Sequence, residues 1–295
     1  MCCDAKWWRP RGFLRKAWIE FGWGLLNLLS ICLVIGLAQP FLKAYIPSGG
    51  AAILAILILP AYWMGSKWIE RRNPVELAPV RALPEALAGL AMGLALFASV
   101  VLILWTSGFY HPRGWGAPRN IASGIVFAVL AGFLEEIIFR GFLFRLFSKI
   151  AGTWGALLLT AALFGAAHAG NPSATLGSSI AIAIEAGLLL GAAYAVTIRL
   201  WLPIGLHIGW NFCEGSIFGM TLSGTTMQPG ILRGTLQGPK LMTGGAFGPE
   251  NSLVAVLLCL SVAAVLLWRT IKLGRIEPPP WIRSQGANAT AQMAH

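Results

Sequence analysis

Apolar residues run through this chain in long, nearly unbroken stretches. They do not alternate with polar residues at the period of an amphipathic helix or a half-buried strand. About eight stretches span or nearly span the ~20 residues that a bilayer crossing needs. They are Phe21–Phe41, Ala51–Ile69, Leu87–Trp105, Ile121–Phe144, Gly155–Ala169, Ser178–Ile198, Leu202–Ile217 and Leu253–Trp268. The pattern predicts an all-α, polytopic membrane helix bundle. The fifth and seventh runs are short and interrupted by glycine, which suits segments that line a cavity rather than face lipid.

Polar residues inside these runs are few and grouped. Glu135 and Glu136 stand side by side in IASGIVFAVLAGFLEEIIFRGFLF, residues 121–144. One carboxylate at membrane depth costs about 2.5–3.5 kcal/mol on insertion scales, so two in succession point to function. Arg140 lies one helical turn beyond Glu136 on the same face and is expected to pair with it. Glu135 points about 100° away, without a local cation, and suits a general base. His168 closes the fifth run in Phe164-Gly-Ala-Ala-His168, where the small residues let another backbone approach. His207 and Asn211 share a face of the seventh run at i, i+4 and can both donate hydrogen bonds, as an oxyanion requires. Of the chain's four histidines, these two lie in apolar runs. The bland alternative is a polar network that only pins helices together, and three such pairs on three runs argue against it.

Counting from a turn near Ala151-Gly152, Glu135 and His168 are each about 16 residues away, roughly 24 Å, so they should meet at similar depth. His207 follows Pro203 closely, and the same count places it nearer the cytoplasmic side than they are. Glu185, mid-run, and Glu214, just after Asn211, stay outside the expected core site.

Composition agrees with the pattern. The chain has 295 residues, 57% hydrophobic and 11% charged, with mean hydropathy +0.71. Its net charge of +11 follows from the positive-inside rule, and no aromatic-interleaved basic stripe suggests nucleic acid. With the N-terminus inside, only five of the 22 Lys and Arg fall outside: Lys43, Arg113, Arg119, Arg233 and Lys240. Both termini are therefore expected in the cytoplasm, with the chain in the plasma membrane of a bacterium. The basic first 20 residues precede a retained first helix rather than a cleaved signal. The five cysteines, Cys2, Cys3, Cys32, Cys213 and Cys259, form no CxxC, so no disulfide framework is expected. Cys2 and Cys3 read as free thiols rather than acylation sites.

The organisation expected is a basic segment 1–20, transmembrane helices 1–3 over 21–118, a site-bearing core over 119–270 and a basic, disordered tail over 271–295. Within the core, the Gly-rich loop 220–252 is too long for a simple connector and is expected to cover the outer mouth of the site.

Taken together, Glu135-Glu136-x-x-x-Arg140, Phe164-x-x-x-His168 and His207-x-x-x-Asn211 resemble the CPBP family, the CAAX proteases and bacteriocin-processing enzymes also called Abi. The flanks FRGFLF, LFGAAH and PIGLHIGWNF are similar too, over about residues 120–220, and GGAFGPE extends the likeness. The resemblance implies an intramembrane endopeptidase with an intramembrane polar cavity. In it, Glu135 and His168 activate water, His207 and Asn211 hold the oxyanion, and Glu136 and Arg140 support them. It does not carry a substrate over, beyond a membrane-associated peptide or protein. No cofactor is expected. Zinc is the alternative, with Glu135, Glu136, His168 and His207 as its ligands, but HExxH is missing and Arg140 would repel a dication. The rival functions are a catalytically silent membrane scaffold and an ion-coupled transporter, and the latter lacks the internal repeats it would need.

Overall fold

The computed structural model describes residues 18–30, 33 and 50–282. Helix dominates. Helix α1 covers 18–30, and α2 is Gly50–Trp68. Helix α3 is Ala82–Thr106, and α4 is Arg119–Glu136. Wide π turns at Ile137–Phe144 carry α4 directly into α5, Arg145–Ala167. Helix α6, Leu176–Ile182, continues through π turns at Ala183–Leu188 into α7, Leu189–Thr197. Helix α8 is Trp201–Phe212, with π turns to Ile217, α9 is the short Lys240–Thr243, and α10 is Leu253–Lys272.

Four helical stretches among the described residues are long and apolar enough to cross a membrane: Val75–Thr106, Arg119–Gly170, Leu176–Thr197 and Leu253–Lys272. Arg119–Gly170, at 52 residues, is two of the expected runs in one, folded back at Gly152, whose φ of 70° breaks the helix where the sequence placed a turn. Among the described residues the expected total of eight is thus not confirmed. Trp201–Ile217 is shorter than a full crossing, and residues 31, 32 and 34–41 of the first run lie outside the described residues. Large apolar side chains such as Leu102, Leu158, Leu257 and Val265 are exposed on helix surfaces, as lipid-facing positions should be.

The structure adds a small two-stranded antiparallel sheet to the all-helical expectation. Strand β1, Tyr110–Trp115, pairs with β2, Leu232–Leu236, in the register Tyr110 to Leu236 and His111 to Thr235, with an irregularity between Pro112 and Trp115. In a two-stranded sheet each strand is an edge, so Pro112 is tolerated.

Chain direction sorts the connections to two ends of the bundle. At one end lie the sheet, the end of α5 and the loops of 218–252. They are joined by the Asn171 side chain donating to the Ser223 carbonyl and by Asn120 donating to the Pro229 carbonyl. At the other end lie Gly152, the start of α3, the α7–α8 connection and the end of α10. Leu200 N donates there to the Glu76 carbonyl and Trp201 to that of Ala78. The tail expected to be disordered from 271 packs at this end up to 282. Glu277 exchanges hydrogen bonds with Thr153, and Arg275 donates to the Val196 carbonyl. Cys213 and Cys259 are free and buried, while Cys2, Cys3 and Cys32 lie outside the described residues.

Helix α8 is held between α3 and α4 by small residues. On α3, a Cβ at Gly89 would lie 2.2 Å from the Leu202 carbonyl oxygen, and one at Gly93 would lie 2.2 Å from that of Leu206. Reciprocally, a Cβ at Gly205 would lie 2.1 Å from the Ala86 oxygen and one at Gly209 2.4 Å from that of Leu90. Two GxxxG pairs therefore face each other, the spacing that brings helix backbones together in membranes. On its other side α8 meets α4 along Gly124, Ala128 and Gly132, all buried at i, i+4. The next residues of that stripe are Glu136 and Arg140.

Candidate active site

The stripe on α4 explains the site's geometry. Glu136 continues the small-residue row that faces α8, so its carboxylate points at His207: Oε1 lies 3.0 Å from His207 Nδ1. Arg140 Nη1 donates to the same oxygen at 2.8 Å, and both side chains are fully buried. Arg140 Nη2 donates to the carbonyls of Gly187 at 2.8 Å and Ala186 at 3.2 Å. Both acceptors lie in the π turns before α7, where the shifted backbone pairing leaves carbonyls for a side chain. The guanidinium also lies over Phe164, 5.0 Å from the ring centre, a cation–π contact in a desolvated setting.

Glu135 faces elsewhere, as one residue of rotation requires. Its side chain is 28% exposed, and Oε2 lies 3.9 Å from His207 Nε2. That oxygen has no hydrogen-bond partner among the described residues. His207 is thus flanked by a carboxylate on each ring nitrogen. The depth mismatch expected for His207 is not there. Eight of the residues counted between Glu136 and the turn at Gly152 lie in π turns, which use more residues per turn and advance less along the axis.

His168 lies at the end of α5, where it stacks on Phe164 with ring centres 4.8 Å apart. Its Nδ1 is 2.8 Å from the Phe164 carbonyl oxygen. A carbonyl only accepts, so Nδ1 carries the proton and the neutral ring keeps Nε2 as an acceptor. Gly165, one turn earlier, sits against the Ser179 carbonyl and brings α5 against α6.

Glu135, His168, His207 and Asn211 all line one cavity of about 340 Å³, and Glu136 and Arg140 form the buried support behind it. The cavity's apolar walls include Phe139, Phe164 and Leu206. Its roof comes from the Gly-rich segment: Leu222, Ser223 and Thr225, with Glu250 farther on. The loop expected over the mouth therefore contributes side chains to the cavity.

Sequence reasoning missed two contributors. Glu185, set aside as a mid-run acid, lines the cavity, is 2% exposed and leaves Oε1 unpaired among the described residues. Glu250, quoted only as the end of GGAFGPE, accepts from Ser223 N at 2.6 Å, Ser223 Oγ at 2.8 Å and Trp210 Nε1 at 3.3 Å. Its loop approaches through Gly248, which has φ of 121° and where a Cβ would lie 2.3 Å from the Thr221 carbonyl oxygen. The signal in the sequence was the run of glycines before an acid. Glu214 is fully buried close to this pair, though it does not line the cavity.

Of the residues weighed as zinc ligands, Glu136 and His168 already have partners. Glu136 Oε1 is taken by Arg140 and His207, and His168 Nδ1 by a carbonyl. Among the described residues no group of three or more His, Cys, Asp or Glu has metal-holding spacing.

Residues 117–213 match the family model "Type II CAAX prenyl endopeptidase Rce1-like". No curated protein and no solved structure matches the chain. The matched stretch holds α4, α5 and α8 with every residue of the three motifs, and it ends before Glu214 and Glu250. Over those residues the chain is similar to the Rce1-like family, in line with the CPBP resemblance that its ordered motifs carry.

Proposed function

We propose that the chain is an intramembrane endopeptidase that hydrolyses a peptide bond with water activated by Glu135 and His168. One observation supports this above the others: two groups able to take a proton and two able to donate hydrogen bonds line a single cavity. His168 offers Nε2 as proton acceptor because Nδ1 is engaged by Phe164. Glu135, which Arg140 does not hold and whose Oε2 has no hydrogen-bond partner among the described residues, shares the water and accepts its proton. The hydroxide equivalent adds to the scissile carbonyl. His207 and Asn211 donate to the oxygen that gains charge, which contributes most when water is excluded. His207 does so from Nε2, so the ring must be the imidazolium, and the carboxylates of Glu136 and Glu135 on its two sides balance that charge. Proton return to the leaving amine from Glu135 and His168 completes the cycle.

In this reading Glu136 and Arg140 are positioning residues. They hold His207 and tie α4 to the turns before α7. No step needs a metal ion, so activity should survive chelation. The chain would sit in the plasma membrane with both termini cytoplasmic, and its substrate is a membrane-associated peptide or protein. The test is cleavage of a peptide library by the purified full chain, with and without a chelator, beside Glu135→Gln. Loss in the variant and indifference to chelator support the reading. Undiminished cleavage by Glu135→Gln would sink it.

A further inference from the structure

The two ends of the bundle differ in charge, and the connecting segments that line the cavity lie at only one of them. At the Gly152 end stand Lys67, Arg71 and Arg72 after α2, Arg81 before α3, Arg145 and Lys149 around the π turns, and Arg199 before α8. Arg269, Lys272 and Arg275 finish α10 at the same end. The sheet end carries only Arg113, Arg119, Arg233 and Lys240 among the described residues. Short connections rich in Lys and Arg stay in the cytoplasm. The Gly152 end is therefore the cytoplasmic one.

Every connecting segment that contributes to the cavity belongs to the opposite end. Asn171 comes from the turn after α5, Leu222, Ser223 and Thr225 from the loop after α8, and Glu250 from the turn before α10. Thr225 is also exposed to the outside of the protein. Toward the Gly152 end the space is closed by the buried Glu136–Arg140 pair and the apolar cluster of Ile137, Phe144, Tyr194 and Leu200. No residue of the cation-rich connections lines the cavity.

We infer that this cavity is loaded from the non-cytoplasmic face of the membrane, by a peptide segment of an exported or membrane-embedded protein. The lipidated tail of a cytosolic protein could not reach it. The lining also restricts charge. Glu135, Glu185 and Glu250 face the space, and among the described residues no Lys or Arg does. A neutral or basic segment fits there, and an acidic one is repelled. The peptide part of this inference rests on the proposed endopeptidase activity, whereas the face of entry does not.

Single cysteines test the face independently of any activity. In the full chain with Cys2, Cys3 and Cys32 replaced by Ser, Thr225→Cys marks the cavity rim and Leu273→Cys the cation-rich end; Thr226→Cys serves if Thr225→Cys fails to accumulate. A membrane-impermeant maleimide added to intact spheroplasts should label Thr225→Cys and leave Leu273→Cys unlabelled until lysis. Labelling of Leu273→Cys in intact spheroplasts, or of Thr225→Cys only after lysis, overturns the inference. The substrate arm adds a neutral or basic quenched peptide outside sealed spheroplasts. Cleavage there supports entry from that face, and cleavage confined to inverted vesicles refutes it. If detergent-solubilised protein cleaves nothing, the endopeptidase reading falls while the labelling result still decides the face.

Discussion

Glu136 and Arg140 share a full burial that neither could sustain alone. Removing one member of a buried pair strands the other charge and costs about 3–5 kcal/mol, whereas replacing both with apolar residues is often neutral. Arg140→Ala should therefore lower the thermal stability of the detergent-solubilised protein sharply, and Glu136→Leu with Arg140→Met should recover most of it. The double variant should stay inactive, because His207 loses the carboxylate at Nδ1. Equal stability of Arg140→Ala and the parent would show that the pair holds nothing together. At Glu135 and His168 the expectation is different. Glu135→Gln and His168→Ala should each reduce kcat at least about 10²-fold, the lower range for a lost general base, with melting temperature unchanged. Asn211→Ala should reduce kcat about 10²–10³-fold, as loss of an oxyanion donor does. A loss confined to KM at Asn211 would count against that role.

Between elements, the decisive contact is the crossing of α3 and α8. Gly89, Gly93, Gly205 and Gly209 bring two backbones so close that any side chain would meet carbonyl oxygens, which cannot give way. Gly93→Val should destabilise the fold by about 3 kcal/mol, the upper part of the range for overpacking, and should also shift His207 and abolish activity. An unperturbed melting curve for Gly93→Val would contradict this packing. At the Gly152 end, Glu70 ties α1, the segment after α2 and α5 together through Asn27, Arg72 and Arg145. Burial opposes its charge, but Arg145 and Arg72, with the Asn27 hydrogen bond, outweigh that and hold its pKa below the usual value. A depressed carboxylate pKa adds stability above its unfolded value near 4.3 and loses it as pH falls through the folded value. Glu70→Gln should thus be less stable than the parent at pH 7, and the gap should close below about pH 4. A gap that persists unchanged under acid would assign the loss to something other than the charge.

For the molecule as a whole, the inferred loading of the cavity predicts a selectivity set by the carboxylates that line it. Matched peptides that differ by Lys or Glu at one position near the cleaved bond should differ in kcat/KM by at least about tenfold, equivalent to 1.4 kcal/mol, in favour of Lys. Glu185→Gln should narrow that difference while the neutral peptide is still cleaved. Indifference of the parent to peptide charge would remove Glu185 and Glu250 from substrate recognition.

The membrane class, the turn at Gly152 and the pairing of Glu136 with Arg140 were legible in residue order alone. Each follows from a local rule: apolar run length, backbone freedom at glycine, or i, i+4 neighbours on a helix. The likeness to the family was legible for the same reason, since the shared motifs are short and lie in sequence order. What tertiary structure alone decided is how distant residues meet. His207 reaches both glutamates because π turns shorten the path that a uniform helix count overestimates. Glu250 enters the cavity from more than a hundred residues beyond Glu135 because a glycine-lined turn folds it inward, a contact no local pattern encodes. The crossing of α3 and α8 depended on two glycine pairs far apart in the chain recognising each other. Short-range geometry is written residue by residue, while depth, closure and the mouth of a cavity depend on how whole helices pack.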